Sequence, residues 1–402
     1  MTHIIVVGAG QAGSSLTAKL RGLGFEGQIT LIGDEPQPPY QRPPLSKAYL
    51  LGEMTEERLY LRPESFYADQ NITLRTGVQV TAIDRSAQQI QLSSGESLSY
   101  DHLALTTGAI VRDLPESCNG NLDGVYPVRT LAHIDLLEPA MQPGKHALIL
   151  GGGYIGLEAA AVAVKRGMTA TLVQSAPRLL RRVACPETSD YFHRLHESHG
   201  VELILGQRVQ HLTGEGHVTG ALLEDGREIQ ADLVIIGIGI DPATELAETA
   251  GLQLDNGIAV DEYGRSSDPA IWSAGDCASF PYRGDRIRLE SVQNAIDQAE
   301  NIAENMMGAE KPYQPQPWFW SDQYDIKLQI AGLNTGYDRV VVRETEDGAH
   351  SHWYYRGDQL LAVDAMNAPR EFMVAKRLLA AGKSPDPALV ADGSVAAKAL
   401  LG

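Results

Sequence analysis

The chain has 402 residues, of which 43% are hydrophobic and 21% charged, and its formal net charge is −18 at pH 7. This length exceeds one simple core and predicts two or three domains, while the negative charge argues against a nucleic-acid partner. The sequence has no run of about 18 apolar residues and no signal-peptide pattern. We therefore expect a cytoplasmic protein without a membrane span.

The N-terminal stretch HIIVVGAGQAG predicts a buried parallel strand, a glycine-rich turn and a helix that runs to about residue 23. In its G-x-G-x-x-G, Gly8 permits the tight turn, Gly10 lets the backbone approach a pyrophosphate, and Gly13 lets the helix pack on the strand. A second strand, QITLIGD, ends at Asp34, 21 residues after Gly13, where a carboxylate can bind a ribose 2′-hydroxyl. This βαβ unit predicts a dinucleotide site.

The same pattern returns between the strands ALIL and TATLVQ, with a glycine cluster from Gly151 to Gly156. Two such patterns predict two dinucleotides, and the simplest reason is electron transfer between a nicotinamide and a flavin. The alternative is a duplicated domain with one site that no longer binds. The second strand ends in Gln174, whose amide rejects a 2′-phosphate less strongly than a carboxylate does. Arg178 or Arg182 could reach such a phosphate, but we favour NADH as the donor.

We predict an FAD-binding domain formed by residues 1–112 and 243–317, an NAD-binding domain at 113–242, and a C-terminal domain at 318–402. In the last domain the segments KLQIAGL, RVVVRE, SHWYYR and QLLAVD alternate as strands do, and REFMVAKRLLAAG predicts a helix. The expected fold class is therefore α/β, with two Rossmann-like dinucleotide-binding domains followed by a C-terminal α+β domain.

Further motifs carry a resemblance to a known family. They are RPPLSK (42–47), ALTTGA (104–109), VIIGIGIDP (234–242), SDPAIWSAGDCA (267–278) and PWFWSDQY (317–324). With the two glycine loops, they resemble the flavoprotein reductases of the glutathione-reductase superfamily. Within it, the chain is similar to the NADH-dependent ferredoxin reductases that serve cytochrome monooxygenases and Rieske oxygenases. The resemblance implies a glutathione-reductase-like fold, FAD, NAD(H) as electron donor and a 2Fe–2S ferredoxin as partner.

The resemblance also implies which residues contact the cofactors. The FAD pyrophosphate is expected at Gly8, Gly10, Ala12 and Gly13, and its adenosine ribose at Asp34. Further FAD contacts are implied for Arg42, Lys47, Val80, Thr107, Gly108, Arg129, Asp276, Glu290, Val292 and Trp320. Contacts with NAD(H) are implied for Gly151, Gly153, Tyr154, Ile155, Gly156, Gln174, Arg182, Gly237 and Gly239.

Lys47, Glu158 and Trp320 are the predicted catalytic residues. Lys47 offers a cation to the N5/C4 edge of the flavin, where negative charge develops on reduction, and Glu158 could pair with it in a water-poor site. The alternative for Glu158 is an ordinary residue on a helix surface. Trp320 is expected against the flavin on the acceptor side. Its alternative is a core aromatic in a Trp/Phe cluster.

The cysteines bear on the route that electrons take. Cys118, Cys185 and Cys277 lie far apart without a C-x-x-C pattern, which argues against a disulfide framework, a zinc site and a dithiol centre. Disulfide reductases of the superfamily carry a cysteine pair beside the flavin, whereas QAGSSLTAKL and RPPLSK contain none. We therefore expect no metal site and a flavin that passes electrons directly to an outside one-electron carrier.

An acidic ferredoxin needs a basic surface on this acidic protein. We expect docking near Arg283, Arg286 and Arg288, for which the alternative is a solvated loop. Two other functions stay open on the same fold. One is a rubredoxin reductase or an oxygen-reducing NADH oxidase, and the other is a signalling flavoprotein like the apoptosis-inducing factors.

Overall fold

The computed structural model describes residues 1–345 and 348–402, and the chain divides into two units. Unit one consists of Met1–Gln41, Thr55–Ile110 and Ile240–Pro315. Unit two consists of Arg42–Met54, Val111–Gly239 and Gln316–Gly402. The RPPLSK motif therefore belongs to unit two, with the second glycine loop and the C-terminal segment. The three domains predicted from the sequence have other boundaries, and that division stays a prediction.

Unit one is built on a parallel sheet of five strands. In spatial order they are Ile271–Ser273, His102–Leu105, His3–Val7, Gln28–Ile32 and Ile72–Arg75. On the strand before the first glycine loop, Ile4 and Val6 pack with the helices Gln11–Gly22 and Val292–Met306. The alternate residues pack in a second cluster on the other face, because successive side chains of a strand point to opposite sides. Burial on both faces accounts for the continuous apolar run.

Smaller elements complete unit one. Two antiparallel or mixed three-stranded sheets contain Val80–Asp84, Gln89–Leu92 and Ser97–Ser99, and Ile258–Ala259, Ala278–Tyr282 and Asp285–Ile287. The short helices are Ser65–Asp69 and Glu245–Thr249, with a single turn at Glu56–Arg58. Two short strands, Ala109–Val111 and Ile240–Pro242, lie at the sequence positions where the chain passes from one unit to the other.

Unit two repeats the five-stranded parallel sheet. Its strands, in spatial order, are Val201–Leu205, Thr169–Gln174, His146–Leu150, Leu233–Ile236 and Val125–Pro127. Its other elements in this part of the chain are the helices Leu131–Leu137, Tyr154–Lys165 and Pro186–Ser198, the turns Pro43–Ser46, Glu116–Cys118 and Glu138–Ala140, and the antiparallel strands Val209–Glu215, His217–Leu223 and Glu228–Gln230. In both parallel sheets the central strand leads into a glycine loop, which is where Rossmann sheets bind dinucleotides.

The C-terminal part of unit two is an antiparallel sheet covered by helices. Its strands, in spatial order, are Trp318–Gln323, Ile326–Gly332, Gln359–Met366, His350–Arg356 and Arg339–Glu344. Helices Pro369–Ala380 and Pro387–Ala391 and the turn Ala397–Leu401 follow. The sequence predicted four of these strands and the first helix, and it missed the strand within PWFWSDQY. That strand carries three consecutive half-buried aromatic side chains, which hide the period of two on which strand prediction depends.

The fold class predicted from the sequence is confirmed by these three sheets, of which two are parallel with a glycine loop and the third is antiparallel with helices on it. Among residues 1–345 and 348–402, no helix combines the length and the apolar character needed to cross a bilayer.

Candidate functional site

The first glycine loop has two positions where the backbone leaves no room for a side chain. Gly8 has a φ of +112°, and a methyl group on it would lie 2.2 Å from the carbonyl oxygen of Thr106. A methyl group on Gly13 would lie 2.1 Å from the carbonyl oxygen of Gly8. At Gly10 a methyl group would point into open space, and the helix Gln11–Gly22 begins there without a side-chain cap. The first N–H groups of that helix are therefore available to an anion such as a pyrophosphate.

The second glycine loop reproduces each of these features. Gly151 has a φ of +107°, and a methyl group on it would lie 2.3 Å from the carbonyl oxygen of Gly237. A methyl group on Gly156 would lie 1.9 Å from the carbonyl oxygen of Gly151. Gly153 faces open space, and the helix Tyr154–Lys165 begins after it without a side-chain cap. The residues present therefore fit a pyrophosphate at both loops.

The two strand ends that follow the loops differ in chemistry. Asp34 is exposed, and its Oδ1 accepts a hydrogen bond from the backbone N–H of Glu35 at 3.1 Å. Gln174 uses its Oε1 to accept the N–H of Gly152 at 3.1 Å. This bond fixes the orientation of the amide and leaves its NH₂ as the donor that Gln174 can offer to a ligand. A ribose would therefore meet an acceptor at the first strand end and a donor at the second.

The two arginines considered for a 2′-phosphate have different surroundings. The Arg178 guanidinium donates to the carbonyl oxygen of Ala184 at 2.9 Å and to the Ser189 hydroxyl at 2.6 Å. It is thereby bound to its own segment of the chain. Arg182 is exposed, and a methyl group on Gly239 would lie 3.6 Å from its guanidinium. Of the two, Arg182 is the candidate for a phosphate contact.

The RPPLSK motif and the second glycine helix meet at a buried ion pair in unit two. Lys47 Nζ lies 2.7 Å from Glu158 Oε2, and the side chain of Glu158 is 2% exposed. Ser46 donates to the same oxygen at 2.5 Å, and Ser321 donates to Oε1 at 2.6 Å. The prolines before Ser46 start a tight 3-10 turn, Pro43–Ser46, that presents the serine and the lysine together. Glu158 is therefore not a helix-surface residue.

Trp320 lies in an aromatic group on the first strand of the C-terminal sheet. It is half-buried, and its ring centroid lies 5.6 Å from that of Trp318 and 6.4 Å from that of Phe319. The Lys376 ammonium lies 4.7 Å from the centre of the Trp318 ring. Phe319 also contacts the ring of Tyr154, at 4.7 Å between centroids. The aromatic group thus continues to the start of the second glycine helix.

Several predicted FAD contacts lie on the backbone scaffold of unit one. Val80 is 4% exposed and begins a strand. The Thr107 hydroxyl donates to the carbonyl oxygen of Ala243 at 2.6 Å, and Gly108 follows with a φ of +70°. Val292 is the first residue of the helix Val292–Met306.

Another group in unit one is tied together by Arg288. Its guanidinium lies 2.6 Å from the Glu290 carboxylate and donates to the carbonyl oxygen of Asp276 at 3.1 Å. Gly275, just before Asp276, is so close to the first glycine helix that a methyl group on it would lie 3.2 Å from the Ala12 Cβ. Unit one therefore brings the segments of Asp276 and Glu290 beside each other and beside the first glycine helix.

Unit two brings Arg42 and Arg129 together in the same way. The Arg42 guanidinium donates to the Arg129 carbonyl oxygen at 2.7 Å.

At the second loop, the Tyr154 phenol is buried, and burial raises its pKa well above the ordinary value, whereas the Ile155 side chain is 41% exposed. Only Ile155 of these two can therefore offer its side chain to a ligand at the surface of the loop.

Sequence reasoning missed Ser46 and Ser321, although both donate to Glu158. One signal was available for Ser321. It alternates with Gln323 on one strand, and both side chains are buried, at 0% and 1% exposure. Polar residues at the inward positions of a strand indicate a buried hydrogen-bond network.

Sequence reasoning also missed a buried polar cluster that includes a cysteine. Cys185, His352 and Asp364 each offer one atom that could ligate a metal ion, and these three atoms lie within 4.8 Å of one another. The Thr188 hydroxyl sits among them, 3.3 Å from the Cys185 sulfur, 2.7 Å from His352 Nδ1 and 2.7 Å from Asp364 Oδ2. Tyr354 also donates to Asp364 Oδ2. The threonine hydroxyl occupies the space that a metal ion bound by these three donors would need. The absence of a metal site stays a prediction.

This cluster gives a pH-dependent stability. Burial raises the pKa of Asp364 from 3.8 to about 6. The folded protein then holds a proton that the unfolded chain loses, so the contribution is complete below pH 3.8 and is lost as the pH rises through about 6. A pKa difference of this size corresponds to about 3 kcal/mol.

We expect Asp364→Asn to remove this dependence. In urea titrations, the free energy of unfolding of the native protein should fall by about 3 kcal/mol relative to the variant between about pH 4 and about pH 6. Asp358→Asn, at a side chain that is 97% exposed, is the control and should follow the native curve. The prediction is wrong if the free energy of unfolding changes with pH in the same way for the native protein and for Asp364→Asn.

Comparison with known proteins agrees with this geometry. The family described as pyridine nucleotide-disulphide oxidoreductase matches residues 2–299, and the family described as reductase C-terminal matches residues 318–401. The chain belongs to the pyridine nucleotide-disulphide oxidoreductase family.

Relatives of this oxidoreductase align over nearly its full length. Putidaredoxin reductase CamA of Pseudomonas putida is 44% identical over 407 residues, which cover 99% of this chain and 96% of the relative. Rhodocoxin reductase of Rhodococcus erythropolis is 44% identical over 393 residues, covering 97% and 92%. The crystal structure of the covalent putidaredoxin reductase–putidaredoxin complex matches with a TM-score of 0.96 and 43% identity, covering 100% of this chain and 98% of the other.

These findings confirm the resemblance stated from the sequence. The chain is an FAD-dependent oxidoreductase that uses NAD(H), and it is a ferredoxin reductase of the putidaredoxin reductase type. The family's name refers to a disulphide, and in this structure Cys118, Cys185 and Cys277 are free cysteines. Burial raises the pKa of Cys185 to about 11, so that side chain stays a thiol at neutral pH.

Proposed function

We propose that this oxidoreductase passes electrons from NADH through FAD to a 2Fe–2S ferredoxin in the cytoplasm, where NADH is supplied. The ferredoxin would serve a cytochrome monooxygenase or a Rieske oxygenase. The observation that carries the proposal is the pair of complete glycine loops, each opening on an uncapped helix N-terminus. Two such loops in one chain suit two dinucleotides. Similarity to a reductase that was solved in a covalent complex with putidaredoxin supports the ferredoxin as acceptor.

In this proposal the first glycine loop holds FAD and the second holds NADH. The backbone N–H groups after Gly10 and Gly153 would bind the two pyrophosphates, because each helix presents its positive end there. Asp34 would accept hydrogen bonds from the FAD ribose, and the segment of Asp276 would follow the ribityl chain. When bound, FAD accepts a hydride from the nicotinamide and releases electrons one at a time.

Lys47 would hold a positive charge at the flavin edge where negative charge develops. Its ammonium is fixed by the Glu158 carboxylate at 2.7 Å, and that carboxylate is itself bonded by two serine hydroxyls. The charges are in place before the reaction, so they need no reorganisation during it. Trp320 is proposed as the aromatic contact on the acceptor side, since it is half-buried at the edge of the aromatic group.

Gln174 sets the preference between NADH and NADPH in this proposal. We expect Gln174→Glu to raise the ratio of kcat/KM for NADH over NADPH by about tenfold, which is about 1.4 kcal/mol. The new carboxylate keeps the bond from the Gly152 N–H, accepts from ribose hydroxyls and repels a 2′-phosphate. Steady-state reduction of a dye with each nucleotide measures the ratio. Gln210→Glu, at an exposed position of the same unit, adds the same charge and should leave the ratio unchanged.

Ferredoxin docking is proposed near Arg283, Arg286 and Arg288. Arg283 is exposed and lies over the Tyr282 ring at 5.0 Å. Arg286 donates to two backbone carbonyl groups, its Nε lies 3.7 Å from the Asp255 carboxylate, and 31% of its side chain is exposed. Arg288 is 10% exposed and its charge is paired with Glu290. Because Arg286 and Arg288 each lie beside a carboxylate, we propose Arg283 as the main cation that meets an acidic partner.

We expect Arg283→Glu to raise the apparent KM for ferredoxin by about tenfold and to leave the KM for NADH unchanged, since opposite charges at an interface mainly affect encounter. The effect should shrink with added salt. Arg356→Glu, an exposed arginine of unit two, is the matched control. A changed saturation by NADH would mean that this surface serves the nucleotide and not the ferredoxin.

The proposed function as a whole is tested by anaerobic mixing of the purified flavoprotein with NADH, then NADPH, followed by a 2Fe–2S ferredoxin and cytochrome c. Fast flavin bleaching by NADH and cytochrome reduction that depends on ferredoxin are the expected results. Slow bleaching with a lasting charge-transfer band would indicate the signalling flavoprotein. Rapid reoxidation by oxygen, without any need for a carrier, would indicate the oxidase, and reduction of rubredoxin alone would indicate a rubredoxin reductase.

A further inference from the structure

A series of buried polar side chains leads away from Glu158 within unit two. Ser321, Gln323 and His196 are 0%, 1% and 0% exposed, and Tyr324 is half-buried. Ser321 Oγ lies 3.1 Å from Gln323 Nε2, Gln323 Oε1 lies 2.9 Å from His196 Nε2, and His196 Nδ1 lies 3.2 Å from the Tyr324 hydroxyl. We call Tyr324, His196, Gln323 and Ser321 the donor series. It ends on Glu158, where Ser321 Oγ lies 2.6 Å from Oε1.

The ionised form of Glu158 fixes the direction of every bond in the donor series. A carboxylate only accepts, so the single proton of the Ser321 hydroxyl points to Glu158. The Ser321 oxygen can then only accept from Gln323, which must present its NH₂. The opposite end of that amide is a carbonyl oxygen, which requires an N–H on His196 Nε2.

The remaining nitrogen of His196 completes the series. Burial lowers the pKa of His196 to about 4, so the imidazole is neutral near pH 7 and its Nδ1 is an acceptor. The Tyr324 hydroxyl therefore donates to Nδ1. All four bonds run one way, from the half-buried tyrosine to the buried carboxylate, and such aligned bonds strengthen one another.

We propose that Gln323 is a positioning residue that holds Glu158 in its ionised form, by linking Ser321 to His196 and Tyr324 in one donor series. The ionised Glu158 carboxylate then remains the counter-charge of the Lys47 ammonium group. For the effect on the flavin, the inference rests on the proposed function, which puts the Lys47–Glu158 pair at the flavin. The state of the carboxylate itself does not depend on that placement.

The physical reason is the cost of burying a charge. A carboxylate that is 2% exposed remains ionised only if its cation and its hydrogen-bond donors offset the loss of water. Tyr154, one turn earlier on the same helix, is a buried titratable group on which Asp364 and Glu158 both act, and burial raises the pKa of its phenol well above the ordinary value, so it is neutral. At the far end of the series, the His199 ring stacks on the Tyr324 ring, with 3.7 Å between the ring centroids. Breaking the series weakens the Ser321 bond and favours protonation of Glu158.

The test measures the protonation of Glu158 in the holoenzyme by infrared spectroscopy as the pH is lowered. The band of the protonated carboxyl group is identified because Glu158→Gln lacks it. Gln323→Met has nearly the same volume but no hydrogen-bond donor and only a weak acceptor in its sulfur. We expect it to raise the pH of half-protonation by about one unit, which is about tenfold in proton affinity. Tyr324→Phe, at the far end of the series, should give a smaller shift.

The controls separate this role from a general loss of packing. Gln359→Met changes an exposed glutamine of the same sheet and should give the native titration. Ser321→Ala removes the direct donor with a smaller change and repeats the test if Gln323→Met does not fold. If Gln323→Met and Ser321→Ala both titrate as the native protein does, the inference is wrong.

Gln323→Glu tests the direction of the bonds with an isosteric side chain. When ionised, the new carboxylate accepts at both oxygens, so it cannot donate to Ser321 and should shift the titration of Glu158 further than Gln323→Met does. The flavin midpoint potential of Glu158→Gln is measured alongside. If Glu158→Gln leaves the flavin potential unchanged, the Lys47–Glu158 pair does not act on the flavin, and that part of the proposed function is wrong. The infrared titrations test the donor series independently of this result.

Discussion

Replacing Lys47 by methionine is expected to lower the free energy of unfolding by about 3–5 kcal/mol, because it leaves the buried Glu158 carboxylate without its cation. Glu158 is 2% exposed, so water cannot replace the ammonium group at 2.7 Å. Urea titration of the holoenzyme at neutral pH measures the loss. The flavin should also become harder to reduce, since the fixed positive charge is gone while the carboxylate remains.

Replacement of the partner residue, Glu158, is the control for this prediction. Glu158→Gln should cost less, because the Lys47 side chain is 19% exposed and can reach solvent when its partner is gone. The double variant Lys47→Met/Glu158→Gln should recover most of the stability that Lys47→Met loses. If the two single losses simply add, the residues do not act as a coupled pair.

In the second glycine loop, neighbouring glycines should respond differently to a methyl group. Gly153→Ala meets no atom within 4 Å, so it should leave the unfolding free energy unchanged but raise the KM for NADH about tenfold or more, about 1.4 kcal/mol, by filling the space of the pyrophosphate. Gly156→Ala puts the methyl group 1.9 Å from the Gly151 carbonyl oxygen. That clash forces the helix away from the strand and should cost about 1–3 kcal/mol of stability.

Flavin content and NADH saturation distinguish the two loops. Gly153→Ala should keep its FAD, whereas Gly10→Ala in the first loop should be purified with little flavin and with the stability of the native protein after its flavin is removed, because Gly10 also faces open space. Unfolding by urea and flavin absorbance measure both properties. A Gly153→Ala protein that saturates with NADH as the native protein does would show that the pyrophosphate lies elsewhere.

The sequence predicted those parts of the fold that depend on neighbouring residues. The glycine loops, the strands before them and the helices after them follow from spacings of a few residues, and the structure has them where they were expected. The contact between Lys47 and Glu158 was suggested by the motif that carries the lysine. What could not be predicted was the hydrogen bonding around this contact, because Ser46 and Ser321 lie 112 and 163 residues from Glu158.

Other features depended on orientation, which a sequence does not encode locally. Gln174 was expected to hydrogen-bond a ribose hydroxyl, which stays a prediction, and the sequence did not reveal that its amide oxygen accepts the Gly152 N–H. Arg288 was expected near the ferredoxin docking surface, which stays a prediction, and its guanidinium lies 2.6 Å from the Glu290 carboxylate. For Cys185 the sequence argued only against a disulfide, a zinc site and a dithiol centre, and the structure shows that it caps a helix, with its sulfur accepting the Thr188 N–H at 3.4 Å.

The bonding of Glu158 has a consequence for the order in which the chain folds. Glu158 and its partners come from three stretches of unit two, and the last partner, Ser321, is added 163 residues after Glu158. A growing chain that already contains both glycine loops still lacks this donor and the sheet that carries it. Closing so long a loop costs chain entropy that only the completed sheet can offset. We therefore expect the ion pair between Lys47 and Glu158 to form late during synthesis. In a chain that stops before residue 316, the Glu158 carboxylate should stay hydrated and the second glycine loop should be less rigid.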